Sequence, residues 1–374
     1  MVRGAVPDGV RVGRDTCAAP MSPVLFYDPV CPRPYDTRTL LEQAMGGTEA
    51  TLVRVADALG AWVMQHNRTE DWQRYRRPQQ LPGIAAVIVN RDSRALPFVQ
   101  QHFPGARVYL WLHDRIHPGA RRARWLAASA PLLRQLAVTA VCVSDSQRAG
   151  VEAALASSAL AGEVRALTIY NPVEDALAPD DTAIDERKLV FFSSPNKGLN
   201  FTLDAFGALR ERMPDVRLVV GNPGYKADRR TPRAGVEFLG AQPQARIHAE
   251  VRTALCTFCP NFLIPETFGL VFAESHALGT PVLALDCGAA LEVLGDPQQV
   301  LPVRGAYRLY ESAVGSLPPR WRRLPARLAA AAGLFDPFIE RIRAWRGGAR
   351  PHATPDPRFR LSTVTAQWRA LLSV

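Results

Sequence analysis

The sequence predicts an α/β protein in which two Rossmann-like domains, each a parallel sheet with helices, face one cleft. Short apolar runs alternate with helical patterns along the chain, which is typical of parallel α/β architecture. A polar, acidic and weakly periodic stretch after Asn171 and Pro172 divides these runs into two series, and 374 residues suffice for two cores. Because open parallel sheets bind ligands at the carboxyl ends of their strands, the cleft is the expected binding site.

The predicted strands are short apolar runs, six before the polar linker and five after it. The first series comprises Val24 to Tyr27, Ala61 to Met64, Ala85 to Val89, Arg107 to Leu112, Ala140 to Val143 and Leu167 to Tyr170. The second series comprises Leu189 to Phe192, Arg217 to Val220, Val236 to Leu239, Ala254 to Cys259 and Pro281 to Leu285.

The bulk composition is that of a globular protein. Hydrophobic residues make up 47% of the chain and charged residues 21%, and no apolar run reaches the roughly 18 residues of a membrane span. Residues 1–22 carry arginines among Gly, Pro and Asp and lack the apolar core of a secretory signal. They are therefore expected to form a loose N-terminal extension, and the protein is expected to be cytoplasmic.

The chain is basic, with a formal net charge of +10, and only three of its 45 basic residues are lysines. A basic surface favours anionic partners such as nucleotide diphosphates, lipid phosphates or membrane headgroups. No zinc finger, RNA-binding motif or block of like charges is present, so no nucleic-acid partner is expected. The absence of GxGxxG and GK[ST] patterns disfavours a dinucleotide oxidoreductase and a P-loop kinase.

The segment from Pro265 to Asp286 carries the most specific pattern in the chain. Glu266 follows a proline and is expected in a loop, whereas Glu274 falls within a predicted helix. Gly279 and Pro281 then end this helix before the strand that follows. Two carboxylates placed in this way can hold opposite ends of one long polar ligand.

The predicted start of that helix is suited to an anion. Phe268, Gly269 and Leu270 offer backbone N–H groups there, where the helix macrodipole favours a group such as a diphosphate. Together with the two glutamates, this geometry suits a nucleotide-sugar.

The same segment resembles the E-x7-E signature of family 4 of the retaining nucleotide-sugar glycosyltransferases, in glycosyltransferase group 1. The likeness includes the FGL after the first glutamate and the GTPV after the helix. It implies the GT-B fold. It also implies that Glu266 contacts the donor sugar hydroxyls near the reacting carbon, and that Glu274 contacts the nucleotide ribose.

The resemblance also gives the predicted segments their roles. Residues 23–175 would form the N-terminal, acceptor-side domain and residues 176–355 the C-terminal, nucleotide-sugar-binding domain. Residues 356–374 resemble the C-terminal helix that crosses back to the N-terminal domain in relatives. Acceptor choice is expected to lie in N-domain loops, and residues 68–82 and 116–124 carry arginines and aromatics consistent with a lipid-linked or polysaccharide acceptor.

Further site residues are expected in the N-terminal domain. Gly46 and Gly47 begin a helical pattern, where glycines permit close backbone approach and leave helix N–H groups free for phosphate. They resemble the family's GG-x-E loop, which lies against the donor phosphates and the acceptor. His113 and Asp114 close a strand. Relatives often carry a similar pair there, with the histidine facing the reacting sugar.

Lys197 lies between a strand and a helix and is expected to bind phosphate as a compact cation. This fits the family's strand, loop and Lys-Gly pattern. Relatives usually carry an arginine earlier in the loop, where this chain has Phe192, Ser193 and Ser194. Phosphate binding would be weaker unless another arginine substitutes for it.

No metal is expected in the site. Cys256 and Cys259 form a CxxC in an apolar run, but no second pair completes a zinc site, so buried structural thiols are expected. No two aspartates are spaced as D-x-D, the metal-binding signature of the other large transferase fold.

The resemblance therefore implies a retaining, metal-independent transfer of a hexose from a nucleoside-diphosphate sugar to a hydroxyl of a glycan or lipid-linked acceptor. Two alternatives stay open: a sugar-nucleotide epimerase on the same fold, and a non-catalytic, degenerate nucleotide-sugar-binding protein. Peripheral contact with the inner face of the membrane also stays open. For the Trp- and Arg-rich stretch Leu317 to Arg350, helix packing with snorkelling arginines is favoured over a membrane-surface patch.

Overall fold

A computed structural model describes residues 23–158, 160–222, 232–318 and 320–373. The described chain forms two parallel sheets, one in each half. The predicted extension at residues 1–22 lies outside the described residues. None of the described helices has the length and apolar character needed to cross a membrane.

Both sheets are doubly wound. The first has the order β3-β2-β1-β4-β5-β6-β7 and the second the order β10-β9-β8-β11-β12-β13. The strands of the first sheet are β1 Val24–Asp28, β2 Trp62–Gln65, β3 Tyr75–Arg76, β4 Ala86–Asn90, β5 Arg107–Leu112, β6 Thr139–Cys142 and β7 Ala166–Thr168. Those of the second are β8 Asp185–Phe191, β9 Arg217–Asn222, β10 Val236–Ala241, β11 Ala254–Cys259, β12 Val282–Leu285 and β13 Val300–Leu301.

Helices connect the strands in both halves. In the first half they are α1 Thr37–Glu42, α2 Gly47–Ala58, α3 Leu96–His102, α4 Arg121–Ala128, α5 Ala130–Gln135 and α6 Asp145–Ala156. In the second they are α7 Leu199–Arg212, α8 Gln244–Arg252, α9 Leu270–Ala277, α10 Ala290–Leu294, α11 Gly305–Val314, α12 Arg323–Ala331, α13 Asp336–Ala344 and α14 Leu361–Leu372.

The central strands are mostly apolar because both faces of each sheet are covered. Every residue of β4 and of β11 is buried, which is why these strands show no alternation of apolar and polar residues. All eleven predicted strands are present, with ends shifted by a few residues. The sequence did not predict β3 and β13, because a two-residue strand carries no periodicity.

The last helix packs on the first sheet although it follows the second in sequence. On α14, the Trp368 ring lies 5.8 Å from the Phe26 ring and 5.0 Å from the Trp111 ring. The hydroxyl of Tyr109 on β5 donates to the Leu371 carbonyl at 3.2 Å. The end of the chain is thus anchored to the N-terminal half.

Loops of the two halves also contact each other directly. Ser144 donates its hydroxyl to the Thr267 carbonyl at 2.5 Å, and the Thr267 hydroxyl donates to the His113 carbonyl at 2.8 Å. The Glu292 carboxylate accepts the backbone N–H of Asp145 at the start of α6, at 2.8 Å. These contacts fix the loop that contains Glu266 against the end of β5.

Candidate active site

A cavity of about 630 Å³ lies between the two sheets, at the carboxyl ends of their strands. Loops after β1, β4 and β5 form its wall in the first half. The end of β9 and the loops after β8, β10 and β11 form its wall in the second half, and the starts of α2 and α9 complete the wall from the two halves. The strand order of each sheet reverses between β1 and β4 and between β8 and β11, and both reversal points open into this cavity.

The structure brings eight of the nine predicted site residues together on the cavity wall. They are Gly47, His113, Lys197, Glu266, Phe268, Gly269, Leu270 and Glu274. Gly46, also predicted to bind the donor, is the exception and does not line the cavity. It is the residue before α2, and the first turn of that helix, from Gly47 to Ala50, forms the wall instead.

Glu266 is buried in the loop before α9 and is 6% exposed. Its Oε2 accepts a hydrogen bond from the Lys197 ammonium at 2.5 Å. Its Oε1 is also buried and finds no hydrogen-bond partner within the part of the chain that the structure describes. A buried carboxylate oxygen without a hydrogen-bond partner costs free energy. This atom is therefore suited to accept a hydrogen bond from a hydroxyl of a ligand in the cavity.

His113 lies next to the Glu266 loop, since Thr267 donates to its carbonyl at 2.8 Å. Its ring is buried against Trp111, with 4.6 Å between the ring centroids. Burial and the nearby Arg91 guanidinium lower the pKa of His113 to about 3, although the Asp114 carboxylate opposes this. The imidazole is therefore neutral at pH 7, and its Nε2 is buried with no partner among the described residues.

The depressed pKa of His113 predicts a measurable pH dependence of stability. In the unfolded chain His113 takes up a proton below about pH 6.5, whereas the folded protein does not until about pH 3, so stability falls as the pH falls through this window. Between pH 6.5 and about pH 4, wild type should lose about 3 kcal/mol more unfolding free energy than His113→Gln, as measured by urea denaturation. Parallel pH profiles for the two proteins would contradict the assigned pKa.

Glu274 is buried on α9 and is held by side chains from both halves. Gln244 donates to its Oε1 at 2.5 Å, His248 Nε2 lies 3.7 Å from its Oε2, and Arg54 on α2 lies 3.6 Å from its Oε1. Burial alone would raise the pKa of Glu274, but His248 and Arg54 lower it below its ordinary value, so the carboxylate is charged. The buried Arg54 also donates to Glu174 at 2.8 Å and to Gln244, which joins the two halves behind Glu274.

The start of α9 has no side-chain cap. Gly269 has a φ of +90°, and a Cβ there would lie 2.4 Å from the Phe272 ring, so only glycine fits before this helix. No side chain caps this end, which leaves the first helix N–H groups free for a ligand. The two halves meet here, because a Cβ on Gly47 would lie 2.9 Å from the Leu270 side chain.

The loop in which the resemblance leads us to expect an arginine faces the cavity. Residues 192–194 line the wall beside Lys197 and offer two serine hydroxyls in place of a cation. Two further cations come from the first half. Arg91 is bound by the Asp114 carboxylate at 2.9 and 3.0 Å, whereas Arg115 is exposed on the wall. Arg115 is thus the arginine best placed to substitute.

The first-half wall differs from the acceptor loops expected from the sequence. It is formed by Val30, Leu40 and Met45 with neighbouring residues, whereas residues 68–82 and 116–124 do not line the cavity. The reason is topological. β1 lies at the reversal point of its sheet, so the loop after it opens into the cleft, whereas residues 68–82 follow β2 on the side of β1 away from β4.

Arg54 and Thr267 are further residues that sequence reasoning missed. Arg54 belongs to no recognisable motif, and Thr267 lies inside the Glu266 segment without a predicted role. Each acts through a partner more than 100 residues away in the chain. Among the described residues no group of His, Cys, Asp or Glu is arranged to hold a metal ion. Cys256 and Cys259 are buried free thiols, as predicted.

Comparison with known proteins identifies a family match in the second half of the chain and relatives of part of the chain. Residues 179–303 match the model of the family glycosyl transferases group 1. The phosphatidyl-myo-inositol mannosyltransferase of Mycolicibacterium smegmatis is 31% identical over 192 residues, which cover 47% of each protein. The D-inositol 3-phosphate glycosyltransferase of Nocardia farcinica is 38% identical over 104 residues, which cover 27% of this chain and 23% of the relative. The aligned part thus spans less than half of each relative's length.

Solved structures share the whole architecture. Anabaena HepE in complex with UDP superposes with a TM-score of 0.59 at 17% identity, covering 94% of this chain and 99% of that one. Sucrose-phosphate synthase from Thermosynechococcus elongatus superposes with the same TM-score at 15% identity, covering 94% of this chain and 98% of that one. At this identity the likeness concerns the fold. The chain therefore has the GT-B fold, and its residues 179–303 resemble the glycosyl transferases of group 1.

Proposed function

We propose that the protein is a retaining, metal-independent family 4 glycosyltransferase that moves a hexose from a nucleoside-diphosphate sugar to an acceptor hydroxyl. One observation carries the proposal. Glu266 has one oxygen bound to Lys197 and the other buried without a described partner, and it lies beside a neutral histidine in a cavity between two doubly wound sheets. This arrangement can form hydrogen bonds with the hydroxyl groups of a sugar.

The donor would lie across the cavity with its diphosphate at the start of α9. The phosphates would be surrounded by the free helix N–H groups, Lys197 and Arg115. The charged Glu274 would accept hydrogen bonds from the hydroxyls of the ribose. The structure of Anabaena HepE in complex with UDP-glucose supports a donor of this class on this fold.

The transfer is difficult because opposite charges develop on the two reacting groups in the transition state. The leaving diphosphate gains negative charge while the anomeric carbon becomes positive. Lys197, Arg115 and the α9 start would stabilise the diphosphate in place of a metal, because preorganised donors in a water-excluded site need no reorganisation. Retention would follow if the acceptor attacks from the leaving-group face and passes its proton to the departing phosphate. Glu266 would then position the sugar without forming a bond to it.

The acceptor is proposed to be a glycan or a lipid-linked molecule. The names of the relatives, which include phosphatidyl-myo-inositol and D-inositol 3-phosphate, support an acceptor that carries phosphate. The wall of Val30, Leu40 and Met45 offers apolar contacts, and Arg115 offers a charge for such a group. A lipid-linked acceptor would bring the protein to the inner face of the membrane as a peripheral, cytoplasmic enzyme.

A binding screen tests the donor class. Isothermal titration calorimetry with UDP-, GDP- and ADP-sugars should identify one nucleotide-sugar that binds at micromolar concentration, and NMR of the product should show the donor's anomeric configuration preserved. Inversion of the anomer would contradict the retaining mechanism. Conversion of the nucleotide-sugar without any acceptor would indicate an epimerase instead.

The metal-free mechanism has its own test. Transfer should continue at an unchanged rate after dialysis against EDTA, because Lys197, Arg115 and the helix N–H groups supply the charge stabilisation. Loss of activity that is reversed by added Mn²⁺ would contradict it.

A non-catalytic nucleotide-sugar-binding protein is the second candidate. Residues 192–194 favour it, because the phosphate loop holds serines where relatives usually hold an arginine, and Lys197 is already engaged by Glu266. Calorimetry distinguishes the two. Donor binding with neither transfer nor hydrolysis, over a panel of lipid and glycan acceptors, would support the binding protein.

A further inference from the structure

The outward face of α12 is apolar and basic at the same time. Leu324 and Leu328 lie four residues apart on this helix and are 67% and 64% exposed, and Trp321, two residues before the helix begins, is 62% exposed. Large apolar side chains exposed together in this way mark a contact surface. The favoured interpretation of this stretch as ordinary packing is therefore correct for Trp345, which is buried, and wrong for Trp321.

A row of arginines runs beside the apolar row. Arg323 and Arg327 are exposed and lie four residues apart, each one position before an exposed leucine, and Arg320 precedes Trp321 in the same way. Residues spaced by four share one helix face, so the leucines and the arginines form two parallel stripes. The sequence holds no acidic residue between Glu311 and Asp336. Glu211 on α7 reaches Arg327 at 3.8 Å.

The inner side of α12 fixes this face in place. Arg322 is fully buried at the start of the helix and binds Asp204 on α7 and Glu311 on α11. On the other side of the helix, Ala330 is buried in the core and Ala329 packs against it. The apolar and basic stripes are therefore presented to solvent by a helix whose orientation is set by the core.

We propose that α12, with Arg320 and Trp321, is a docking surface for an anionic lipid bilayer. We name its exposed residues the α12 face: Arg320, Trp321, Arg323, Leu324, Arg327 and Leu328. Interfacial helices typically carry leucine and tryptophan beside arginine. Their apolar side chains enter the headgroup region while the cations contact lipid phosphates. Three apolar side chains are too few for the area of a stable protein–protein interface, but they suit reversible membrane binding aided by charge.

This surface goes beyond the proposed reaction, because no residue of the α12 face lines the cavity. The α12 face would bind the second half of the chain to a membrane, and this binding would not depend on the ligand of the cavity. The two ideas can therefore fail separately.

Flotation with vesicles tests the α12 face. Wild type should bind strongly to vesicles of equal parts phosphatidylcholine and phosphatidylglycerol, and much less to vesicles of phosphatidylcholine alone. Its binding should weaken as the salt concentration is raised. Tryptophan emission should shift to the blue on binding. Trp321→Ser should abolish the shift, because the other six tryptophans are buried or half-buried.

Two sets of variants complete the test. Combining Trp321→Ser, Leu324→Ser and Leu328→Ser should abolish flotation, and each of Arg320→Gln, Arg323→Gln and Arg327→Gln should weaken it about fivefold. The matched controls Leu291→Ser and Arg343→Gln, exposed on α10 and α13, should bind as wild type.

Three results would overturn the proposal: no flotation of wild type, equal flotation on both vesicle types, or undiminished flotation of the triple serine variant. Loss of a dimer in that variant by light scattering, without a change in flotation, would assign the face to self-association instead. Nucleotide-sugar binding should be unchanged in all of these variants, so failure of the proposed function would leave the vesicle result standing.

Discussion

Glu266→Gln should lower the rate of sugar transfer by about a hundredfold to a thousandfold while the protein stays folded. Glutamine keeps the shape of the side chain but removes the charge that Lys197 binds at 2.5 Å, and it replaces one carboxylate oxygen with a donor. Loss of one well-aligned electrostatic contact at a reacting centre costs about 2.7 to 4 kcal/mol of barrier. The measurement is kcat for transfer with the donor found by calorimetry, with circular dichroism as the check of folding.

Glu250→Gln is the matched control for this experiment. Glu250 on α8 forms a buried ion pair with Lys188, but neither residue lines the cavity. This variant removes the same kind of carboxylate–ammonium pair and should retain wild-type kcat. If Glu266→Gln turned over at the wild-type rate, the role assigned to Glu266 would be wrong. If both variants lost activity together, the loss would reflect a general effect of breaking buried pairs.

Arg322→Met should have the largest effect on stability, a loss of about 3 to 5 kcal/mol of unfolding free energy. Arg322 is fully buried, donates to Asp204 at 2.8 Å and to the Val314 carbonyl at 2.9 Å, and binds Glu311. Its removal leaves two buried carboxylates without their main cation, and a buried charge without its partner is more costly than the absence of the whole pair. Urea denaturation measures the change as a lower midpoint with an unchanged slope.

Two further variants separate this cause from others. Arg323→Met, on the same helix but exposed, should change stability by less than about 0.5 kcal/mol. Adding Asp204→Leu and Glu311→Leu to Arg322→Met should restore much of the loss, because no unpaired charge remains in the core. A loss below about 1 kcal/mol for Arg322→Met would show that water reaches the two carboxylates.

Much of the candidate site could be predicted because its residues lie in local patterns. Glu266, Gly269 and Glu274 belong to one segment whose loop, helix and strand follow from proline, glycine and apolar spacing. The short glycine pair gave a less specific signal. Both Gly46 and Gly47 were expected to bind the donor, and only Gly47, the first residue of α2, lies on the cavity wall.

The sequence by itself determined the two parallel sheets, eleven of their strands and the position of the glutamate-bearing helix. These features depend on apolar periodicity and on turn residues close together in the chain. Only the tertiary structure decided that Lys197 binds Glu266 and that Arg54 stands behind Glu274. It also decided that Trp321 is exposed whereas Trp345 is buried. Such outcomes depend on which distant segments contact each other. The free energy of a charged or aromatic side chain is set by its burial and its partners, and not by its neighbours in sequence.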